Sequence, residues 1–418
     1  AGAARVKKGY LSEYFVGVAA KRLSAVEADV LRSNQHEFNG VEGLRQMLGE
    51  PDGNVTYQTK AIYLKDSDDE PIIEDAVFTW YDARQRARLE RDVKRWEYRL
   101  YFPTTNVSLS AVEGDLLVIA KRQDNGLMVI VAENGSSIAR QIEWLFGFSD
   151  LAHPGFLVKS ELGKEQNRIE FASRVILESI GVEVEVTEDE FLDEMLRRYG
   201  GKFPTTRVFS AYARSTLEDV SAKDNSDQAL MEWMEREEIL FRTLERHLIA
   251  DRLSSGFAAT KGTKVDVEGF LAFSLSVQNR RKSRVGLALE NHLEQVFQEN
   301  GIRYSRGQST ENKAKPDFLF PGHEKYHDAE FTAGNLTMLG VKSTCKDRWR
   351  QVLAEADRID DKHLLTLEAS ISNSQTDEMK AKRLQLVLPK ALHTSYTPAQ
   401  QGWLMSVAEF AEVVRKRQ

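Results

Sequence analysis

Hydrophobic positions follow two different patterns along the chain. Up to about residue 160, short runs of β-branched and aromatic residues alternate with turn residues, which predicts strands. The predicted strands cover residues 55–57, 61–64, 76–80, 96–102, 116–120 and 127–132. Asn125-Gly126 separates the last two runs and is typical of a tight turn. With short helices predicted at 41–48 and 137–146, this spacing predicts a compact β-rich barrel or sandwich.

Apolar residues take helical spacing from about residue 164 onward. Helices are predicted at 165–181, 188–199 and 228–253. Gly200-Gly201, followed by Pro204, interrupts this pattern and is the preferred site for a domain boundary. The predicted division is therefore a domain at 1–165, a helical connection at 166–201 and a second domain at 202–418.

Helical and strand patterns alternate in the last third of the chain. Helices are predicted at 283–300, 347–359, 376–383 and 406–417, and strands at 317–320, 336–343, 363–367 and 384–388. Such alternation predicts an α/β domain with a largely buried central mixed sheet. The fold class expected for the whole chain is this α/β domain together with the β-rich N-terminal domain.

Composition is that of an ordinary globular protein. The 418 residues are 41% hydrophobic and 29% charged, which suits two or three domains. The single cysteine, Cys345, excludes an internal disulfide and any zinc site that needs more than one thiolate. No apolar run is long enough to cross a bilayer, and the N-terminus does not resemble a secretory signal. We therefore expect a cytoplasmic protein with no membrane partner.

The net charge of −7 does not by itself indicate a nucleic-acid-binding protein, but two local stretches are basic. Residues 280–284 hold four basic residues and no acid, and residues 84–99 hold more bases than acids. The bases of the second stretch are Arg84, Arg86, Arg88, Arg91, Lys94, Arg95 and Arg99. Both stretches are candidate DNA-facing patches, and solvated helix or strand faces explain the charge equally well.

A candidate catalytic pair lies on two predicted strands. Asp317, after Pro316, opens one short apolar strand, and Lys342 ends the next. This is the skeleton of a PD-(D/E)xK nuclease site. Phosphodiester hydrolysis needs a divalent cation, Mg²⁺ prefers carboxylate oxygens, and a lysine can orient the attacking water. A turn aspartate and a surface lysine could also produce so short a pattern by chance.

The usual second acid of that motif is missing. It stands two residues before the lysine, where this chain has Gly340. Glu355, on the helix predicted after Lys342, can return to the strand end and supply the carboxylate. Glu290, on the preceding predicted helix, is a fourth candidate at the same edge of the sheet.

Four longer strings resemble the catalytic domain of the EcoRII-like type II restriction endonucleases. They are SVQNRRKSRVGLALENHLEQVFQENGIRY (276–304), KPDFLFP (315–321), YHDAEF (326–331) and MLGVKSTCKDRWRQVLAEADRI (338–359). The resemblance implies a Mg²⁺-dependent site with Glu290, Asp317, Lys342 and Glu355 as catalytic residues, the three acids binding the metal, and Tyr326 beside them. The chain is one residue shorter than the family between Glu290 and Asp317, in the loop at 306–313.

A triplet at the start of the predicted 347–359 helix is suited to reading bases. Arginine can bond guanine in pairs and aspartate can accept from cytosine, so Lys346-Asp347-Arg348 could read C·G pairs in the major groove. A helix N-cap flanked by surface charges is the other interpretation. The resemblance implies base reading and a CC(A/T)GG-like target, with Arg350 and the 280–284 stretch on phosphates.

Two N-terminal strings resemble the effector domain of the same family, a B3-like pseudobarrel that binds DNA. They are YFVGVAAKRLSAVEADVLRSNQHEFNG (14–40) and ARLERDVKRW (87–96). The resemblance implies DNA contacts by Arg88, Glu90 and Arg91, with Arg95 in support and His36 nearby. Asp92 replaces a basic residue of the family, so this domain could read another sequence or a modified base. A charged, soluble strand edge is the alternative interpretation.

The sequence thus predicts a homodimeric type II endonuclease that binds a target and an effector copy of double-stranded DNA. The resemblance also implies that the N-terminal domain blocks the catalytic cleft until DNA binds. Two alternatives stay open: a nuclease that depends on a modified base held in the barrel, and a non-enzymatic DNA-binding regulator with a decayed nuclease domain.

Overall fold

The chain divides into two compact units. The structure, a computed structural model, describes residues 9–29, 36–67, 70–91, 96–152, 154–185, 189–258 and 265–418. The first unit is Ala1–Val182 with Ser370–Ser374, and the second is Glu183–Ala369 with Gln375–Gln418. This division falls inside the predicted connection 166–201, earlier than the predicted boundary near Gly200. Met195, fully buried, packs against Phe209 and Phe241 of the second unit, so the segment before Gly200 belongs to that unit's core.

The first unit is built on one eight-stranded sheet. Its strands are β1 Phe15–Arg22, β2 Glu37–Asn39, β3 Val55–Leu64, β4 Ile72–Asp82, β5 Tyr98–Tyr101, β6 Leu116–Arg122, β7 Leu127–Ala132 and β8 Leu157–Lys159. Their order is β2-β5-β4-β3-β7-β6-β1-β8, with only the β3–β7 pair parallel. Asn125, at φ +66°, makes the predicted turn between β6 and β7. The predicted β-rich N-terminal region is confirmed.

Short helices accompany this sheet. They are α1 Ala25–Ala28, α2 Glu42–Leu48, α3 Gln85–Arg91, α4 Asn106–Ser110, α5 Ser137–Phe146 and α6 Phe171–Ser179, with 3₁₀ turns at Leu11–Glu13 and Glu165–Asn167. Aromatic side chains fill much of the core beneath the sheet, where Phe38 stacks on Phe102 and Trp80 on Tyr98. Burial of large aromatic rings is the main stabilising contribution in a sheet of this kind.

The second unit combines long helices with a five-stranded sheet. Its helices are α7 Leu192–Tyr199, α8 Thr206–Ser215, α9 Ser226–Ser255, α10 Val267–Glu299, α11 His323–His327, α12 Asn373–Ala381, α13 Pro398–Gln401 and α14 Val407–Arg417. Its 3₁₀ segments are Asp189–Phe191, Glu311–Lys313, Ala333–Asn335, Lys346–Ala354 and Lys390–Ser395. Helix α10 begins sixteen residues before the predicted start at 283. Among the described residues, no helix has the length and apolar character needed to cross a membrane.

The sheet of the second unit is mixed. Its strands are β9 Ser305–Arg306, β10 Phe318–Phe320, β11 Thr337–Val341, β12 Lys362–Leu365 and β13 Leu384–Val387, in the order β13-β12-β11-β10-β9. The β9–β10–β11 pairs are antiparallel and the β11–β12–β13 pairs are parallel. Every residue of β10, β11 and β12 is buried. The predicted α/β class with a buried mixed sheet is confirmed.

Candidate active site

The central pair of the site is created by antiparallel strand pairing. Phe318 of β10 lies opposite Leu339 of β11, so Asp317, just before β10, and Lys342, just after β11, meet at one end of the sheet. Lys342 Nζ lies 3.1 Å from Asp317 Oδ2, and the Val341 amide donates to the same oxygen at 2.6 Å. A backbone donor and an ammonium together fix the orientation of this carboxylate.

The position of Lys342 is fixed from the other side by the parallel neighbour of β11. The Lys342 amide donates to the Leu365 carbonyl oxygen at 3.0 Å, which extends the β11–β12 ladder past the last residue of β11. The side chain of Lys342 is about one-sixth exposed. Its ammonium group is therefore held at the sheet end but can still meet a ligand from solvent.

Gly340 explains why the second acid does not stand two residues before the lysine. A Cβ at position 340 would lie 2.7 Å from the Val352 side chain, closer than real Cβ atoms come. Glycine therefore allows the 3₁₀ segment Lys346–Ala354 to pack directly on β11. A carboxylate at position 340 has no room, and the chain instead presents Glu355, the first residue after that segment.

Glu355 lies in an environment that disfavours its charge. Burial, and next the neighbouring Asp317 carboxylate, raise the pKa of Glu355 to about 7, while Lys342 and Lys362 oppose this shift. Within the described chain, Glu355 Oε2 is buried and accepts no hydrogen bond. Asp317 and Glu355 are thus close enough for their charges to interact. The prediction that Glu355 lies on a helix is wrong, since the helix ends at Ala354.

Glu290 reaches the same site from α10. Its Oε2 accepts from Arg306 Nε at 3.0 Å and Nη2 at 2.9 Å. Burial, and next Asp317, raise the pKa of Glu290, and the Arg306 guanidinium opposes that shift. The structure therefore brings Glu290, Asp317, Lys342 and Glu355 together at one end of the sheet, with Glu290 tied to an arginine.

The donor set fits a hard divalent cation. Asp317 and Glu355 offer carboxylate oxygens, and the buried, unsatisfied Oε2 of Glu355 would be stabilised by a cation. Mg²⁺ takes one or two protein carboxylates and keeps several waters, which this pair allows. Considering only the described residues, no three histidine, cysteine, aspartate or glutamate side chains form a group able to hold a metal ion. A bound cation would therefore take much of its shell from water and from substrate phosphate oxygens.

Tyr326 is held by groups other than the predicted catalytic set. Its hydroxyl donates to Glu311 Oε2 at 2.6 Å and accepts from the Arg358 amide at 3.2 Å. Glu311 also accepts from the Asp357 amide at 3.4 Å. Tyr326 is fully buried, and this burial, together with the hydrogen bond to Glu311, raises its pKa far above the ordinary value for tyrosine. These contacts hold the backbone just after Glu355.

The predicted base-reading triplet begins the 3₁₀ segment. The backbone amide of Cys345, just before the triplet, donates to the Glu368 carboxylate. Arg348 is exposed, whereas the side chains of Lys346 and Asp347 lie outside the described part of the chain. Arg350 Nη2 pairs with Glu378 Oε2 at 2.6 Å, and this pair is exposed.

Two arginines of the 280–284 stretch, predicted to contact phosphates, pair with acids within the protein. Arg284 is buried and pairs with Glu237 at 2.7 Å. Arg281 pairs with Glu245 at 2.7 Å and with both carboxylate oxygens of Glu183 at 3.1 Å. A buried charge must be paired, so the buried Arg284 stabilises helix packing through Glu237.

The predicted DNA contacts of the first unit are partly engaged within it. The guanidinium carbon of Arg88 lies 3.4 Å from the ring centre of Trp96, and Arg88 also pairs with Asp82. Glu90 pairs with Arg86 at 2.8 Å. Residues 92–95, which include Arg95 and Asp92, and the side chain of Arg91 lie outside the described residues. Arg88 and Glu90, the predicted DNA-contacting residues of this segment whose side chains the structure describes, therefore both contact other residues of the protein.

His36 lies against the aromatic core of the first unit. Its ring centre is 5.8 Å from that of Phe102 and 6.3 Å from that of Tyr101. Its Nδ1 is buried and has no hydrogen-bond partner in the described part of the chain. The nearby cavity, lined by Phe38, Phe78 and Phe102 among others, has a volume of about 30 Å³. That is room for about one water molecule and not for a nucleobase.

Sequence reasoning missed three residues that support the site. Arg306 becomes visible only when β9 pairs with β10 and places it opposite Phe318. Glu311 and Glu368 act on backbone amides far away in sequence. No spacing rule connects such residues to the catalytic set, and only the fold reveals them.

Comparisons with known proteins agree with the C-terminal motif strings. Residues 241–411 match the family model described as EcoRII C terminal. The chain is 41% identical over 210 residues to the type II restriction enzyme EcoRII of Escherichia coli. That alignment covers 50% of this chain and 50% of the relative, so the chain spans about half the length of the curated relative it matches. The predicted resemblance of the C-terminal strings to EcoRII is confirmed.

Two solved structures are similar over about half of the chain. Metal-depleted Ecl18kI in complex with uncleaved DNA has a TM-score of 0.44 and 17% identity, and the match covers 55% of this chain and 84% of that one. The PspGI–substrate DNA complex has a TM-score of 0.43 and 15% identity, and the match covers 51% of this chain and 93% of that one.

Proposed function

We propose that this chain, whose residues 241–411 match the EcoRII C-terminal family model, is a type II restriction endonuclease that hydrolyses phosphodiester bonds of double-stranded DNA with Mg²⁺. The observation that carries the proposal is the approach of Lys342 to Asp317, at 3.1 Å, beside the unsatisfied carboxylate of Glu355. The sequence identity to EcoRII of Escherichia coli supports it.

The roles of the residues follow from their chemistry. Asp317 and Glu355 bind the cation, and Glu290 completes the acidic set. The cation supplies Lewis acidity to the phosphate and lowers the pKa of water. Lys342, held by Asp317, orients the attacking water and offsets the negative charge that builds on the phosphate. Tyr326 positions Glu355 through the backbone.

The target and assembly are part of the same proposal. Arg348, with Lys346 and Asp347, reads C·G pairs of a CC(A/T)GG-like palindrome, and two copies of the chain cut the two strands. The first unit binds a second DNA copy through residues around Arg88.

Digestion of a plasmid library with Mg²⁺, followed by sequencing of the ends, tests the proposal. We expect the ends to share one short palindrome and EDTA to prevent cutting. Methylation of the DNA at positions outside that palindrome should not change which ends are produced. A Lys342→Ala protein should bind the same DNA without cutting it. Intact DNA with the parent protein, or cutting that requires methylated DNA, would overturn the proposal.

A further inference from the structure

The three acids of the site differ in the positive partners that the protein gives them. Asp317 has the Lys342 ammonium at 3.1 Å, and Glu290 has the Arg306 guanidinium at 2.9 Å. Glu355 forms no ion pair with the residues that the structure describes, and its buried Oε2 accepts no hydrogen bond from them. Within this part of the chain, Glu355 is therefore the acid that is left for a cation from solution.

Strand pairing brings Arg306 to the site. Arg306 belongs to β9 and lies opposite Phe318 of β10. The next amide, that of Gly307, donates to the Asp317 carbonyl oxygen at 3.1 Å, so the pairing continues as far as the catalytic aspartate. The Arg306 side chain is only 16% exposed. Its guanidinium is therefore placed beside the acids by the sheet and is largely shielded from water.

Three oxygens of α10 surround this guanidinium. Its Nε and Nη2 both donate to Glu290 Oε2. Its Nη1 donates to Asn291 Oδ1 at 2.8 Å and to Glu294 Oε2 at 3.1 Å. Carboxylate and amide oxygens are the ligands that a hard divalent cation takes. Arg306 therefore fills a place between oxygens that would otherwise suit a metal ion.

The oxygens that hold Arg306 are themselves anchored. Asn291 is buried, and its Nδ2 donates to the buried Ser210 hydroxyl of α8 at 3.0 Å. Glu294 also pairs with Arg207, another residue of α8, at 3.1 Å. The guanidinium is thus fixed from the helical core of the unit. A divalent cation entering the same place would be repelled by this positive charge.

We infer that Arg306 is a positioning residue that takes the place of a second metal ion: it holds Glu290, and the chain binds one divalent cation, through Asp317 and Glu355. The inference rests on the proposed function for the choice of metal-binding acids. It differs from the family resemblance, which implies that Glu290 also binds the metal. In two-metal sites the second ion adds positive charge around the scissile phosphate, and here a protein side chain supplies that charge.

Counting the Mn²⁺ ions bound by the full chain tests the inference without any DNA cleavage. Electron paramagnetic resonance of the free ion should show one Mn²⁺ per parent chain. Glu355→Gln should weaken its binding by more than about tenfold, whereas Glu290→Gln should leave the affinity within about threefold of the parent value. The two variants are matched, because each replaces one carboxylate of the same site by an amide. Equal losses in the two variants, or a parent chain that binds no ion or two, would overturn the inference.

Removal of the guanidinium is the complementary test. Arg306→Gln should bind a second Mn²⁺, because it leaves three oxygens of α10 without a cation. Arg306→Lys keeps the charge and should bind one. Arg383→Gln is the control for the loss of an arginine, since Arg383 forms an exposed pair with Asp361 at 2.8 Å, and it should also bind one. A folded R306Q protein that binds a single ion, or an R306K protein that binds two, contradicts the inference. If circular dichroism shows that R306Q does not fold, the comparison of E355Q with E290Q decides.

The proposed nuclease activity fails separately. If the parent binds one Mn²⁺ and E355Q and E290Q differ as expected, but the parent does not cut DNA, the inference stands and the proposed function falls. If the parent cuts DNA but binds two ions, or E290Q loses the ion as E355Q does, the role of Arg306 is excluded while the nuclease stands.

Discussion

The environment of the Glu355 carboxylate disfavours its negative charge, and this favours the binding of a cation. Its pKa of about 7 results from burial and from Asp317, and its Oε2 accepts no hydrogen bond from the described residues. A divalent cation would stabilise the charged form of Glu355 and would also give its Oε2 atom a partner. The charge of Glu355 should therefore be linked to metal binding and, in the metal-free protein, to stability.

Glu355→Gln should raise the melting temperature of the metal-free protein at pH 8 and change it little at pH 4, which is below the unfolded pKa of 4.5. Glu355 has a higher pKa folded than unfolded, so its contribution is fully present below the unfolded pKa and is lost as pH rises through about 7. Glutamine, which has no charge, removes that loss. Thermal unfolding in EDTA measures the difference, and an equal or lower melting temperature for the variant at pH 8 would contradict the burial described above.

The contacts of Tyr326 indicate whether it positions the site or takes part in the chemistry. Its hydroxyl joins Glu311 to the Arg358 amide, two contacts that fix the chain just after Glu355. Neither contact reaches Asp317 or Lys342. These contacts therefore favour a positioning role for Tyr326, through the backbone that follows Glu355.

Tyr326→Phe should weaken divalent-ion affinity about tenfold while leaving the cleavage rate at saturating metal within a fewfold of the parent. The readouts are Mn²⁺ binding by calorimetry and the Mn²⁺ dependence of single-turnover cleavage. Tyr199→Phe is a suitable control, because the buried Tyr199 hydroxyl has no hydrogen-bond partner among the described residues. A large rate loss that excess metal cannot restore would instead indicate a direct chemical role for Tyr326.

Among the elements, the contact between β11 and the Lys346–Ala354 segment determines the form of the active site. Gly340 lets Val352 approach the strand to within a distance that no side chain at position 340 would allow. The segment held by this contact begins with the predicted base-reading triplet and is followed directly by Glu355. The 3₁₀ segment that packs on Gly340 thus joins the predicted base-reading triplet to Glu355, the predicted metal ligand.

Gly340→Ala should destabilise the protein by about 1–3 kcal/mol, as overpacking of a well-packed core does, and should also lower cleavage activity. Gly286→Ala is the matched control: nothing lies within 4 Å of a Cβ there, and glycine to alanine within a helix should stabilise by about 0.5–1 kcal/mol. Urea unfolding measures both. Unchanged stability of G340A would mean that Val352 moves away at little cost.

The elements also show what sequence patterns can and cannot predict. Strands β6 and β7 and helix α5 follow from alternation, turn residues and helical periodicity, because those signals are local. Helix α10 begins sixteen residues before its predicted start, since its first half is largely exposed and lacks the one-sided apolar pattern of a buried helix. Strand β9, two residues long, has no pattern of its own and exists through its pairing with β10.

The candidate site divides in the same way. The positions of Asp317 and Lys342 could be predicted, because each residue stands at the end of an apolar run that is recognisable as a strand. The displacement of the acid to Glu355 could be proposed from family resemblance, but its cause, the crowding of Gly340 by Val352, is a tertiary contact. Arg306, which holds Glu290 by two hydrogen bonds, depends on the sheet order and could not be predicted.

For the whole molecule, the division at Val182 changes where the two parts can be separated. Phe191, Leu192 and Leu196 pack around the fully buried Met195 in the helical core of the second unit. A cut near residue 202, where the sequence pattern predicts the boundary, removes all of them. A cut at residue 183 keeps them.

A fragment of residues 183–418 should therefore be more stable than one of residues 202–418, by at least the roughly 2–5 kcal/mol that loss of a buried methionine side chain costs. Thermal unfolding of the two fragments measures this difference. If the first unit blocks the catalytic cleft, as the resemblance implies, the longer fragment should also cleave single-site DNA faster than the full chain. Equal unfolding of the two fragments would contradict the assignment of residues 183–201 to the second unit.

The most direct test of the active-site account is single-turnover cleavage of a duplex that carries the target, with Mg²⁺, by the Asp317→Asn protein. Asparagine keeps the shape of the side chain and removes its charge. We expect a rate loss of at least about a thousandfold, equivalent to about 4 kcal/mol of transition-state stabilisation. Asp360→Asn, at a side chain that is 76% exposed and paired with Arg383, should cut at the parent rate. A D317N protein that cuts as fast as D360N would show that the carboxylate beside Lys342 does not serve the reaction.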